Sequence, residues 1–352
     1  MTERTTILQR VPFLSMGFNP DIEADILVHR AMGDKYPITT GLEREWSAWS
    51  VDGIASYTEI TYPLASIVAS PATPTNLGGT AYQWSFESNA SSGDVLQVYS
   101  PTHGDSTKQR QSSLAYFTDF ILTADAQDTA TFTGDMIANL LKAEHMIGAD
   151  EVLDVPTPLA TTLFPILPHQ ICVYADDSSA ALGSTLLSSV YDVEFSISSR
   201  VDAKWVFKCS ADDPTTWATV IEIEPEVNLV VSLEADDQGL MFLKNMREST
   251  TKFFRVEATG PKIGVTAFDH LFRLDFAGVV NDISEFQDDD GVTILQWTWR
   301  TAYDATYGKA YEITVNNDQA SLAETLFLLQ ESSTGPGVDL LLQESLDRLM
   351  WA

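Results

Sequence analysis

Val227–Leu233 (VNLVVSL) runs directly into Asp236–Arg247 (DDQGLMFLKNMR), and this junction decides the fold class. The first segment is β-branched and apolar and reads as a strand. In the second the apolar period changes from two to 3.6, which predicts a helix with Leu240, Leu243 and Arg247 near one line and Phe242 and Met246 beside it. That broad stripe suits a helix lying on a sheet. Alternation then returns in Phe253–Ala258, Leu271–Ser284 and Val292–Arg300, where Trp297 and Trp299 point the same way.

A weaker copy of this order precedes it. Leu42–Ser50 reads as a strand, and Tyr57–Val68 reads as a helix begun near Ser56, with Glu59 as its capping-box partner and Pro63 inside it. Tyr82, Trp84 and Phe86 alternate with polar residues, so 81–87 is a half-buried strand. Leu114–Ala124 and Thr129–Leu141 form a hairpin across Asp125–Asp128. Both halves therefore run strand, helix, strand, strand, strand. The chain is expected to be mainly β, with two tandem β-sandwich or barrel domains that each carry one flanking helix. The expected division is an arm over 1–17, a first domain over 18–150, a proline-rich linker over 151–168, a second domain over 169–318 and a tail over 319–352.

Further strands are expected at Ile22–His29, Val95–Tyr99, Gln170–Tyr174, Leu187–Ser198, Trp205–Phe207 and Tyr311–Val315. Ser100–Ser113 is polar and reads as an exposed, mobile loop, and Arg200–Pro225 as a long excursion turning at Ala211–Thr216. In the tail, FLLQES (Phe327–Ser332) recurs as LLLQES (Leu340–Ser345). Two readings of that repeat stand side by side: a short element folded on the body, or an arm for a neighbouring copy.

The 352 residues carry 50 acids against 20 bases, a formal net charge of −30. Tight binding to a phosphate backbone needs a dense basic surface, so this balance excludes it. Such acidity suits solubility, or a surface that faces DNA without adhering to it. Cys172 and Cys209 are too few for a disulfide framework or a zinc site, and both read as buried thiols. No apolar run approaches the roughly 20 residues of a membrane span, and the N-terminus has no secretory apolar core, so a soluble protein made in a cytoplasm is expected.

No phosphate-cradling loop, nucleophile elbow or metal-ligand spacing occurs, and the five histidines are scattered. Asp288–Gly291 lacks the acid spacing of a calcium loop and reads as an acidic turn. Asp212, Asp213, Glu222, Glu224 and Glu226 offer carboxylates for hydrolysis, but chance proximity is expected among so many acids. The expectation is a protein without catalytic activity, cofactor or metal. The aromatic alternation at Tyr82–Phe86 and Trp297–Trp299 allows a carbohydrate-binding or cell-surface module as the alternative, although inward-facing core residues account for it better.

Several segments in order resemble the tail tube (major tail) proteins of phages with long non-contractile tails. Asp21–Val68, especially His29–Val68 (HRAMGDKYPITTGLEREWSAWSVDGIASYTEITYPLASIV), resembles their N-terminal region, and Pro168–Arg200 (PHQICVYADDSSAALGSTLLSSVYDVEFSISSR) the start of their second half. Val227–Thr259, with Phe253–Gly260 (FFRVEATG), and Phe272–Trp299, with the run DFAGVVNDISEFQDDDGVTILQWTW, continue the likeness to about residue 315. The tail from Leu326 departs from it.

The resemblance implies a structural virion protein, assembled in the host cytoplasm, whose stacked rings form a conduit for genomic DNA. It implies self-association, with three two-domain chains completing a pseudo-sixfold ring, and contact with other tail proteins such as the tape measure. Glu194, Asp275 and Asp282 are the candidate lumen-facing acids, since an acidic bore leaves DNA free to slide. Ser100, Asp105, Arg110, Arg200, Asp212 and Trp217, in the two long loops, are the candidate ring-stacking residues.

Overall fold

The computed structural model describes residues 17–69, 73–90, 92–104, 109–143, 163–207, 215–289, 291–322 and 327–328. The chain is mainly β. Its first half contains β1 (Gly17–His29), β2 (Thr39–Ile54), α1 (Thr61–Ile67), β3 (Thr75–Gly78), β4 (Ala81–Phe86), β5 (Thr102–Gly104), β6 (Gln109–Gln111), β7 (Tyr116–Asp125), β8 (Thr131–Ala138) and β9 (Lys142–Ala143). The second half contains β10 (Ile171–Asp176), β11 (Val190–Ser198), β12 (Val201–Lys204), β13 (Thr219–Glu222), β14 (Glu226–Glu234), α2 (Asp237–Glu248), β15 (Lys252–Lys262), β16 (Asp269–Ile283), β17 (Gln287–Asp289), β18 (Val292–Thr301), β19 (Tyr311–Asn317) and β20 (Phe327–Leu328).

One 14-stranded antiparallel sheet dominates, and β16 is its pivot. The first part of β16 lies between β15 and β19, whereas Gly278–Ile283 pairs with β18. The sheet thus has two layers sharing one bent strand: β10-β15-β16-β19-β4-β3, and β1-β2-β8-β7-β11-β14-β18-β16. Gly278 sits at the change of partner, where an added Cβ would lie 2.4 Å from the Phe276 ring and 3.1 Å from the Arg300 carbonyl. A glycine here permits the close approach the bend requires.

Apolar residues from both layers meet in one continuous core, which gives the molecule its sandwich-like character. Phe254 lies 4.7 Å from Trp299 and Phe195 6.0 Å from Tyr311, ring centre to ring centre. A cavity of about 20 Å³ remains between the layers, lined by Leu122, Phe195, Val256 and Leu274 among others. The two halves are laced together. β7 of the first pairs with β11 of the second, and β4 of the first pairs with β19 of the second. The described end of the expected linker is also stitched in: Ile166 is buried, donates to Ala55 O and accepts from Ala130 N.

The pairing order is repeated. Strands β1-β2-β8-β7 recur in the same order as β11-β14-β18-β16, and each half has its helix after the second strand. Even a bulge recurs. In β7 it falls between Phe117 and Asp119, opposite Met136 and Asp135; in β16 it falls between Val280 and Asp282, opposite Trp299 and Thr298.

Several expected elements come out differently. Glu59 N donates to Ser56 Oγ at 3.1 Å, as the capping box requires, and the Ser56 hydroxyl donates in turn to Glu59 Oε2 at 2.6 Å, yet the pair caps a turn, and α1 starts later at Thr61. Pro63 then occupies the first helical turn, where its missing N–H costs nothing. On α2 the apolar stripe is narrower than its sequence suggests. Phe242 is fully buried against Trp297, Trp299 and Phe254, while Leu240 and Met246 are exposed. Leu243 beside it is half-buried against the core, and since burying a phenylalanine is worth about 1.5–3 kcal/mol, Phe242 is the main anchor of the helix.

Val95–Tyr99 forms no ladder; Tyr99 makes one bridge to Ala115. Ser100–Ser113 is not simply an exposed loop: β5 and β6 pair within it, Thr102 and Ser112 are buried, and Ser112 Oγ lies 2.7 Å from Ser47 Oγ. Trp205–Phe207 is not a strand, because the ladder of β12 with β13 ends at Lys204. Cys172 is exposed rather than buried, since it falls on the outward side of β10, and Cys209 lies outside the described residues. Of the tail repeat, only β20 is described; it pairs in parallel with β5. The arm over 1–16 also lies outside the described residues.

Candidate functional site

The outward face of the eight-strand layer is the chemically distinctive surface. In an antiparallel ladder, directly opposed residues share a face. Glu194 opposes Thr123 and Val230, Val230 opposes Thr298, and Thr298 opposes Asp282. Two of the three expected lumen acids, Glu194 and Asp282, therefore stand in one cross-strand row although they are far apart in the chain. Their neighbours Val193, Phe195, Trp297 and Trp299 turn inward and are buried, which forces the acids outward.

Further acids join them. Asp192 opposes Asp125, Asp119 opposes Asp135, and Asp52 stands in the row of Thr133. Glu226 and Glu234 occupy the two ends of β14 on the same face. Along the described strands, from Ser47 on β2 across to Ile283 on β16, Arg300 is the only Lys or Arg on this face. Like charges set opposite one another are destabilising. Partial burial pushes the Asp192 carboxyl up from its ordinary value and Asp125 adds to the shift, while a hydrogen bond from Ser232 opposes it. Burial likewise raises Asp135, with a further push from Asp119. Asp119 accepts a hydrogen bond from the Ser199 amide at 3.1 Å.

Asp275 is a correction. It lies on the other layer, 6% exposed, and is clamped by Arg255 through Nε to Oδ1 at 2.6 Å and Nη2 to Oδ2 at 2.9 Å. Arg273 stands 3.7 Å from the same carboxylate. Its charge is neutralised and withdrawn from solvent, so it cannot line an acidic surface. The alternation within β16 is read correctly, but the bend of that strand puts Asp275 and Asp282 on different layers.

Two expected ring-stacking residues are likewise internal. Arg200 is 2% exposed. It donates to the carbonyls of Ile67 (2.9 Å) and Val68 (3.3 Å) at the end of α1, and pairs with Asp94 and Glu222 at 2.6 Å each. Trp217 is buried and its Nε1 donates to Ala138 O at 3.1 Å. These contacts, with Glu45 N to Thr215 O at 3.0 Å and the Trp46–Trp205 ring pair at 5.6 Å, hold the described parts of the excursion, 200–207 and 215–222, against the body. Ser100 is half-buried and Arg110 exposed, while Asp105 and Asp212 lie outside the described residues.

The aromatic residues of the carbohydrate alternative are core. Trp84 is 2% exposed and donates from Nε1 to Asn317 Oδ1, and Trp297 and Trp299 are fully buried, so these rings form no platform. Glu222, one of the acids considered for hydrolysis, is taken up by Arg200.

Sequence reasoning missed the projecting β1–β2 hairpin. Its outer half carries exposed Ile22, Ile26, Val28, Ile38 and Leu42. The signal was present as a run of apolar residues on both sides of two strands, a pattern that a lone solvated ribbon does not need.

Comparison of the chain with protein-family models and with curated proteins finds no match.

Proposed function

We propose that this chain is a structural virion protein, a tail tube protein of a long non-contractile phage tail, whose copies join in stacked rings around a channel for genomic DNA. The observation that carries the reading is the acidic outward face of the eight-strand layer. Turned toward the axis of a ring, it presents carboxylates to phosphates and lets DNA pass without adhering. The recurrence of β1-β2-β8-β7 as β11-β14-β18-β16 supports two tandem tube domains per chain, here joined side by side through the β7–β11 ladder. In this reading three chains supply a pseudo-sixfold ring, the polar segments around Arg110 meet the next ring, and the tape measure occupies the bore until ejection.

Negative-stain electron microscopy of the purified protein at high concentration tests this. Rings or tubes of phage-tail width, with a ring mass of three chains, are the expected outcome. A species that stays monomeric under every condition of concentration and salt contradicts the proposal.

A further inference from the structure

The internal repeat says how one copy meets the next. Superposing the repeat through its bulge makes Met136 equivalent to Trp299, and hence Trp49 to Leu229, Phe120 to Ile283 and Pro20 to Phe195. On this alignment β1 is the counterpart of β11, and the Gly278–Ile283 part of β16 is the counterpart of β7. Within the chain, β7 and β11 are bonded to each other. Their counterparts are both open. β1 is bonded to β2 on one side and to no strand on the other among the described residues. Val279–Ile283 and β17 have β18 on one side and likewise no strand on the other. Among the described residues the eight-strand layer is thus a strip whose two unbonded edges have the same identities as the two edges already joined at its centre.

We infer that β1 of one copy pairs antiparallel with the β16–β17 edge of a second copy, in the register of the β7–β11 ladder. In the chain Ile197 opposes Phe120, and the equivalent contact between copies sets Ile22 opposite Ile283 and Asp21 opposite Ser284. Burial supports the match. Ile197 and Phe120 are both fully buried, whereas Ile22 is 53% exposed and Ile283 only half-buried. The same position in the repeat is covered where a neighbouring strand is present and bare where it is absent. A long exposed edge strand with large apolar side chains is a hazard in water, and a second copy removes it. The contact is head to tail, so it closes a ring if the rotation per copy closes and otherwise grows a filament. Repeating it continues the acidic face from copy to copy. The inference rests on the self-assembly proposed above and names the surfaces that carry it.

The test uses the full chain with Cys172→Ser and Cys209→Ser, carrying Asp21→Cys and Ser284→Cys together. These positions lie on opposite edges of the strip, so a disulfide joins only different copies. Mild oxidation should give a ladder of cross-linked chains on a non-reducing gel, ending at the ring size, while either single cysteine gives none beyond dimers. In parallel, hydrogen exchange of the unmodified protein should slow at least tenfold at the amides of β1 and of 279–289 on assembly, because edge amides become ladder amides. Assemblies that form with neither the ladder nor the protection overturn the inference and leave the self-assembly reading standing. An unmodified protein that is monomeric at every concentration overturns both.

Discussion

The two outward faces of the molecule use the same residue types to opposite effect. On the layer containing β15, β19 and β4, acids are matched: Asp275 with Arg255 and Arg273, and Glu312 and Glu87 with Lys309 at 2.9 Å each. Burial pushes Glu312 up, but hydrogen bonds from Lys309 and Ser85 outweigh it and hold the carboxyl below its ordinary value. On the eight-strand layer acids face acids, and burial, with a smaller push from the facing acids, holds Asp192 and Asp135 above their ordinary value. The first face is built for the stability of the single chain. The second gives up some of that stability, because its facing carboxylates have few cations to meet.

The largest expected effect comes from breaking the matched face. Arg255→Ala strands the Asp275 carboxylate in a nearly buried site, and removal of one partner from such a pair costs about 3–5 kcal/mol, reduced here toward the lower end by Arg273 and by the part-exposed arginine. Urea unfolding should show the unfolding free energy fall by this much, with the midpoint moving to lower urea, and an unchanged midpoint would mean the clamp is not formed. Lys309→Met is next, at about 1 kcal/mol or less, because its partners are part-exposed and screened.

On the acidic face the sign reverses. Asp192→Asn should raise stability at pH 7 by about 0.5 kcal/mol, the size of one relieved like-charge cross-strand contact. A loss instead would mean that the Ser232 hydrogen bond outweighs the repulsion from Asp125. The smallest effect is the pH dependence of that gain. The folded value of Asp192 is raised from 3.8, so its contribution is fully present below 3.8 and is lost as pH rises through the folded value. The advantage of Asp192→Asn over the parent should therefore be greatest at neutral pH and shrink as pH falls toward 3.8. Glu312 runs the other way: its contribution is present above its ordinary value and is lost as pH falls through the lowered one, so Glu312→Gln should cost most at neutral pH. Parallel pH series of thermal unfolding separate the two carboxylates by the sign of this trend.

Much of this was legible in the chain. The strands at Ile22–His29, Leu42–Ser50, Leu114–Ala124 and Val292–Arg300, and the hairpin across Asp125–Asp128, all appear near their expected places, because alternation is imposed locally by a sheet with one buried side. The strand pattern sets Glu194 and Asp282 opposite an apolar face, and both stand outward in the sheet. The same pattern covers Asp275, yet it says nothing about which layer a residue joins. Arg200 and Trp217 read as loop residues because their partners, Asp94, the end of α1 and Ala138, come from distant segments.

Side-chain period, acid excess and the doubled order of elements are properties of neighbouring residues, and the sequence alone determined them. Which acid meets an arginine, which strands are left with an open edge, and how the two halves share one sheet were decided only by the tertiary structure. Those outcomes depend on register between strands far apart in the chain and on a single bend at Gly278. A shift of one residue in pairing reverses the face of every side chain on a strand, and no local pattern carries that information.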